Sequence, residues 1–253
     1  MVYRGESIFN EDGTIRKIQE EEDGRSYSSN LAKLLKQLPK LQNLQEGKPP
    51  SPVMAHISLT NACNLTCSFC CFANRDISEK MPTEKVFQAL ESFKAIGVTG
   101  VEFTGGGEPS IHPHFKEIVQ YAKDLGFSLG ICTNGARFGA DRPIKKDIVE
   151  LFDWVRLGMY GFYEGYDYDL SVFEGTNCKP SAAYVWDENL ETSKNPNITG
   201  DWSDVKNKRV LSKKFQTTEN FIRMLDWVEE NGIPCRIAFN AIKDVKETEK
   251  DID

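Results

Sequence analysis

Val53-Met54-Ala55-His56-Ile57-Ser58-Leu59 is followed by Thr60-Asn61-Ala62 and then by Cys63-Asn64-Leu65-Thr66-Cys67-Ser68-Phe69-Cys70. The first seven residues predict a β-strand. That strand delivers the chain into a C-x₃-C-x₂-C spacing. Thiolates are soft ligands, suited to iron–sulfur clusters, zinc or cuprous copper. Three of them can hold three irons of a [4Fe–4S] cube and leave the fourth iron open, whereas an electron-transfer cube is closed by four cysteines. Cys71 follows at once, so a four-thiolate zinc site or a closed cluster is the competing arrangement. The adjacent Cys70-Cys71 pair departs from usual zinc spacing.

Downstream the chain alternates. Helices are predicted over Thr83–Ile96, His114–Leu125, Pro143–Phe152 and Thr218–Glu230, and Gly97, Gly126 and Gly232 serve as stops. Strands are predicted over Val101–Thr104, Ser128–Thr133, Trp154–Met159 and Pro234–Ala241. Strand–helix repetition with short connections predicts an α/β fold: a parallel sheet with helical crossovers, forming a partial, open barrel of about five to six strands. The second strand runs into Gly105-Gly106-Gly107-Glu108-Pro109. This is neither a Gly-Lys-Ser/Thr phosphate loop nor a dinucleotide fingerprint. Its glycines suit a backbone that comes close to a ligand. Glu108 adds an anion where an ammonium can be neutralised.

Residues 160–217, rich in Gly, Tyr, Asp and Asn, form a long insertion after the fourth strand. It leaves the strand end where chemistry sits in parallel barrels, so a substrate-holding lid and a surface insertion are both open readings. No sixth strand is predicted, and the chain reads as one strand short at its C-terminus. Upstream, residues 1–26 predict a polar arm, and Leu31, Leu34, Leu35 and Leu38 predict a helix interrupted by Pro39. Pro49, Pro50 and Pro52 mark a linker, which divides residues 1–52 from a core domain over 53–253.

The chain has 253 residues, 31 basic and 38 acidic, for a net charge of −7. That balance makes nucleic acid an unlikely partner, because gripping phosphates takes a surplus of Lys and Arg. No apolar run approaches the roughly 18–20 residues that cross a bilayer, and no signal-peptide core opens the chain. A cytoplasmic protein is expected, whose seven cysteines are ligands or packed thiols rather than disulfides.

The cysteine motif, with aromatic Phe69 before its third cysteine, resembles that of the radical S-adenosylmethionine (radical SAM) superfamily. Gly105-Gly106-Gly107-Glu108-Pro109 looks like that superfamily's glycine–glycine–glutamate–proline motif, and Thr133-Asn134-Gly135 resembles the strand end that follows it. The resemblance covers about Val53 to Ile242. It implies a [4Fe–4S] cluster ligated by Cys63, Cys67 and Cys70, whose open iron chelates the methionine part of SAM. The Gly105-Gly106-Gly107-Glu108 backbone, with or without the Glu108 side chain, would receive the SAM ammonium. Phe69 would lie against adenine, and Thr133 and Asn134 near the ribose or methionine part. Arg156, Gly158 and Met159 match a ribose contact loosely, and Asn240 and Ala241 match an adenine contact loosely. The implied activity is reductive cleavage of SAM to a 5′-deoxyadenosyl radical that abstracts hydrogen from an unidentified peptide or small metabolite. The implied partners are SAM, an external one-electron reductant such as flavodoxin or ferredoxin, and, given the missing strand, a complementing chain.

The other conspicuous residues have plainer expectations. Cys71 and Cys132 read as packed or core thiols. Cys178 lies in the insertion, and Cys235 lies at the end of its strand remote from the site, so no second cluster is expected. His56 reads as a barrel residue, His112 and His114 as helix-entry residues, and the Tyr160–Tyr168 aromatics as a packed loop.

Overall fold

The computed structural model of the protein describes residues 38–49, 51–67, 70–72, 75–138, 143–159, 168–187, 209–210 and 218–240. The chain divides into two units, Met1–Pro50 and Ser51–Asp253. In the first, α1 spans Leu38–Gln45. Pro39 therefore sits in the opening turn of a helix, where its missing N–H costs nothing. The polar arm and the helix expected upstream of Leu38 lie outside the described residues.

The second unit carries β1 (Met54–Ile57), β2 (Leu65–Thr66), α2 (Thr83–Ala95), β3 (Gly100–Phe103), α3 (Phe115–Asp124), β4 (Ser128–Thr133), α4 (Lys146–Val149) and β5 (Trp154–Gly158), followed by β6 (Lys179–Asp187), β7 (Arg209–Val210), α5 (Thr218–Glu230) and β8 (Cys235–Asn240). The main sheet has six strands in the order β1-β3-β4-β5-β6-β8, every pairing parallel. It is an open α/β sheet whose helices supply the crossovers.

The expectation of a missing strand is corrected by β6. It lies inside residues 160–217 and pairs with β5 on one side and β8 on the other. Ala182 and Tyr184 are buried, while Ser181, Ala183 and Val185 between them are only half-buried. That alternation fits a strand with one face on a core. Pro180 is tolerated because it stands second in the strand. The sixth strand of this sheet thus comes from this chain.

The two faces of the sheet differ. One carries Ile57, Val101, Phe103, Leu129, Ile131, Val155, Leu157, Ala182 and Tyr184, all buried. Against it pack Val86 and Leu90 of α2, Phe115, Ile118 and Val119 of α3, and Met224 and Val228 of α5. Burying each such side chain contributes about 1.5–3 kcal/mol, so this face carries the stability of the unit. Phe103 meets Phe115 and Phe152 edge-on, with ring centroids 6.4 and 6.2 Å apart. The opposite face is polar. In register across neighbouring strands it presents His56 beside Glu102, and Cys132 beside Arg156.

Candidate active site

The C-terminal ends of β1, β3 and β4 converge. After β1 the chain runs through Ser58–Ala62 to Cys63. After β3 it enters the glycine turn. The two segments dock backbone to backbone: the Gly107 N–H donates to Thr60 O at 2.7 Å, and the Glu108 N–H to Ala62 O at 2.8 Å. A Cβ on Gly107 would lie 1.7 Å from Ala62 O, and one on Gly106 would lie 2.3 Å from Ser58 Oγ and 2.9 Å from Thr60 O. Gly106 also has a φ of +50°, which side chains rarely adopt. These glycines therefore serve a close approach to the loop leading to the first cysteine.

Glu108 is 2% exposed and joins the turn to β4. Its Oε1 accepts from the Ser110 N–H at 3.1 Å, Ser110 Oγ at 2.6 Å and Thr133 Oγ1 at 2.7 Å. Its Oε2 accepts from the Asn134 N–H at 2.7 Å. A buried carboxylate needs such donors to offset its lost hydration. Four donors from this chain occupy it, and they fix Thr133 and Asn134 in place.

Asn134 in turn reaches the cysteines. Its Nδ2 donates to Asn64 Oδ1 at 2.6 Å and points at Cys63 Sγ at 3.6 Å, while the Leu65 N–H donates to the same sulfur at 3.5 Å. A turn brings the Cys70 N–H to Cys67 O at 3.1 Å. Arg75, to which the sequence reading assigned no role, reaches the third thiol, with Nη1 3.4 Å from Cys70 Sγ. Burial pushes the Cys63 thiol up, against the Leu65 N–H, Asn134 and Arg75, which favour the thiolate. Cys67 is pushed far above the ordinary thiol range, first by burial and then by the neighbouring Cys63 and Cys70 sulfurs. The neighbouring sulfurs thus add to burial in disfavouring the Cys67 thiolate. Among the described residues no three His, Cys, Asp or Glu side chains are gathered for a single metal ion.

Phe69 lies outside the described residues. Asn240 ends β8, paired with Asp187, and Ala241 lies outside. Arg156 projects from the polar face, its guanidinium over the Trp154 ring and 3.7 Å from Cys132 Sγ. Gly158 O accepts from Tyr168 Oη at 3.3 Å, and Met159 is buried. Cys132 is not a core residue as expected. It is half-buried on the polar face and donates to Glu102 Oε1 at 3.1 Å. Cys71, expected to be packed, sits exposed in the turn after Cys70. His112 links the start of α3 to Met81 O through Nε2 at 3.1 Å.

A second, two-stranded sheet touches this site. β2 lies between Cys63 and Cys67 and pairs in parallel with β7, Leu65 beside Arg209 and Thr66 beside Val210. Part of the expected insertion therefore returns to the cysteine loop.

Three comparisons bear on this geometry. The chain is 31% identical over 98 residues to an S-adenosylmethionine-dependent nucleotide dehydratase of Selenomonas ruminantium, a match covering 39% of this chain and 35% of that protein. It is 34% identical over 85 residues to the sporulation killing factor maturation protein SkfB of Bacillus subtilis, covering 33% of this chain and 20% of that protein. The chain thus spans about a third or less of these curated relatives. Among solved structures, Streptococcus suis SuiB bound to S-adenosylmethionine aligns with a TM-score of 0.45 at 17% identity, over 84% of this chain and 57% of that one. The family model described as the radical SAM superfamily matches residues 57–165, from the end of β1 past the glycine turn and the end of β4. These matches liken the chain to the radical SAM superfamily over residues 57–165.

Proposed function

We propose that this chain is a radical SAM enzyme whose Cys63, Cys67 and Cys70 ligate a [4Fe–4S] cluster and whose β3 and β4 ends hold SAM. The carrying observation is the Gly105–Asn134 knot, which fixes three half-buried thiols at the C-terminal end of β1. The donor set fits the cluster: three soft thiolates, with the adjacent Cys71 turned out to solvent. When bound, the cluster would pass one electron to the SAM sulfonium, giving methionine and a 5′-deoxyadenosyl radical that takes a hydrogen atom from substrate.

The residues of the chain have distinct tasks around that chemistry. Glu108 is saturated by its four donors, so the backbone carbonyls of the glycine turn are the better acceptors for the SAM ammonium. Asn134, held through its own N–H, would orient a donor toward the Cys63 sulfur. The polar face with Glu102, Cys132 and Arg156 would receive substrate. Relatives named for nucleotide dehydration and for maturation of a sporulation killing factor leave both a small metabolite and a peptide open for this chain. The reductant would be a one-electron carrier such as flavodoxin or ferredoxin. Residues 53–253 would form the core domain. Seven free cysteines suit the reducing cytoplasm, and no helix among the described residues is long and apolar enough to cross a membrane.

The test is anaerobic reconstitution with iron and sulfide, reduction by dithionite, and assay for 5′-deoxyadenosine. Wild-type protein should produce it, and the Cys63/Cys67/Cys70 triple-Ala variant should not. Equal yields from the two proteins would overturn the assignment.

A further inference from the structure

Arg75 occupies an unusual position. Its Nε donates to Asn61 O at 2.6 Å, and its Nη1 donates to Phe72 O at 2.6 Å and to Cys70 Sγ at 3.4 Å. The two carbonyls lie on opposite flanks of the cysteine motif, so the guanidinium bridges the loop that bears all three thiols. It is half-buried. Among the described residues it forms no ion pair with a carboxylate. The nearby acids have other partners: Glu79 accepts from Asn61 Nδ2 at 3.2 Å, and Asp76 from Ser78 Oγ at 2.7 Å. A half-buried arginine with one face on carbonyls, another on a thiol, and no anion of its own is charge awaiting a counterion.

We infer that Arg75 is a positioning residue that tunes the cluster: its charge and its N–H to the Cys70 sulfur stabilise the reduced state and raise the reduction potential. This rests on the cluster assignment above. The physical reason is direct. One-electron reduction adds a unit of negative charge to the cube and its three thiolates, with no bond made or broken and the electron supplied by dithionite or a low-potential carrier. A fixed cation at the sulfur favours the more negative state, more strongly because the site is partly removed from water. Hydrogen bonds to cluster sulfurs act in the same direction.

The experiment compares reconstituted wild-type protein with Arg75→Lys, Arg75→Gln and Arg75→Met. Iron and acid-labile sulfide are counted first. The midpoint potential is then measured without SAM, following the reduced cluster by electron paramagnetic resonance. The two neutral variants should show an about tenfold lower ratio of reduced to oxidised cluster at a fixed applied potential near the midpoint, equivalent to a fall of about 59 mV for a one-electron couple. Arg75→Lys, which keeps the charge, should recover most of that shift. Neutral variants with the wild-type midpoint would overturn the inference, as would a lysine variant that falls as far as glutamine. Loss of iron from both neutral variants would make Arg75 a loop clamp and would also overturn it. Wild-type protein that takes up no sulfide would overturn the cluster assignment, and this inference with it.

Discussion

The β1–β4 end of the unit and its β5–β8 end are built by different means. At the first, backbone meets backbone: Gly107 on Thr60, Glu108 on Ala62, and a buried carboxylate pinning Thr133 and Asn134. Few residue types can stand at those positions. At the second, strands are held by ordinary packing, with Tyr184 against Phe221 at 5.4 Å and Ala182 buried on β6. Many residues of similar size would serve there. The lesson is that tolerance to substitution should fall steeply from β8 toward the cysteine loop, and the following substitutions probe that gradient.

The largest effect is expected at Gly107→Ala. The new Cβ would lie 1.7 Å from the Ala62 carbonyl oxygen, and backbone cannot yield as a flexible side chain can. A loss of about 4 kcal/mol is expected, at the upper end for single substitutions, together with loss of iron uptake. Thermal unfolding and iron analysis check both, and normal iron content in a stable variant would break the comparison at its strongest point. Glu108→Gln comes next. An amide nitrogen would face one of the donors, and the charge-assisted bonds would be lost. About 2–3 kcal/mol of destabilisation is expected in a urea unfolding series.

An alkaline effect separates the ends further. Burial pushes Cys178 from an ordinary 9.0 to about 12, and Cys132 likewise, there with help from Glu102. Both thiols are protonated in either state below about pH 9, where their contribution is fully present. As pH rises past the unfolded thiol value, the unfolded chain ionises while the folded one stays protonated. Stability of the metal-free protein should therefore fall between about pH 9 and pH 12. Cys178→Ala should flatten part of that decline in denaturation midpoints across the range, and an unchanged slope would show that burial at β6 carries no such penalty. The smallest effect belongs to Tyr184→Phe. The Tyr184 hydroxyl is buried with no hydrogen-bond partner among the described residues. Its removal should stabilise by up to about 1 kcal/mol, read from a denaturation midpoint. A loss of similar size would reveal a partner for the hydroxyl and bring the packed end closer in character to the pinned one.

The same contrast explains what could be read before the structure. Cys63, Cys67 and Cys70 stand at a conspicuous spacing, and Gly106 and Gly107 stand where nothing larger fits, so the sequence alone drew attention to them. The alternation of strands and helices was legible because amphipathic faces repeat. Strand β6 was not. Its Lys179-Pro180-Ser181-Ala182-Ala183 opening has weak strand preference, and burial between β5 and β8 overrides it. Arg75 was not legible either, since a basic residue five positions past a cysteine is common in solvated loops. Only the fold brings it against Cys70, by turning the loop back on Asn61. Cys132 was misread because period-two alternation does not say which face of an open sheet is dry.

The pairing of β2 with β7 has a consequence in time. Leu65 and Thr66, between the first two cysteines, are hydrogen-bonded to Arg209 and Val210, on the order of a hundred or more residues later. During synthesis the ribosome exposes the cysteine loop long before the segment that braces it. The part of the molecule made early is therefore finished late, and a metal-loading system in the cell would meet that loop still unbraced.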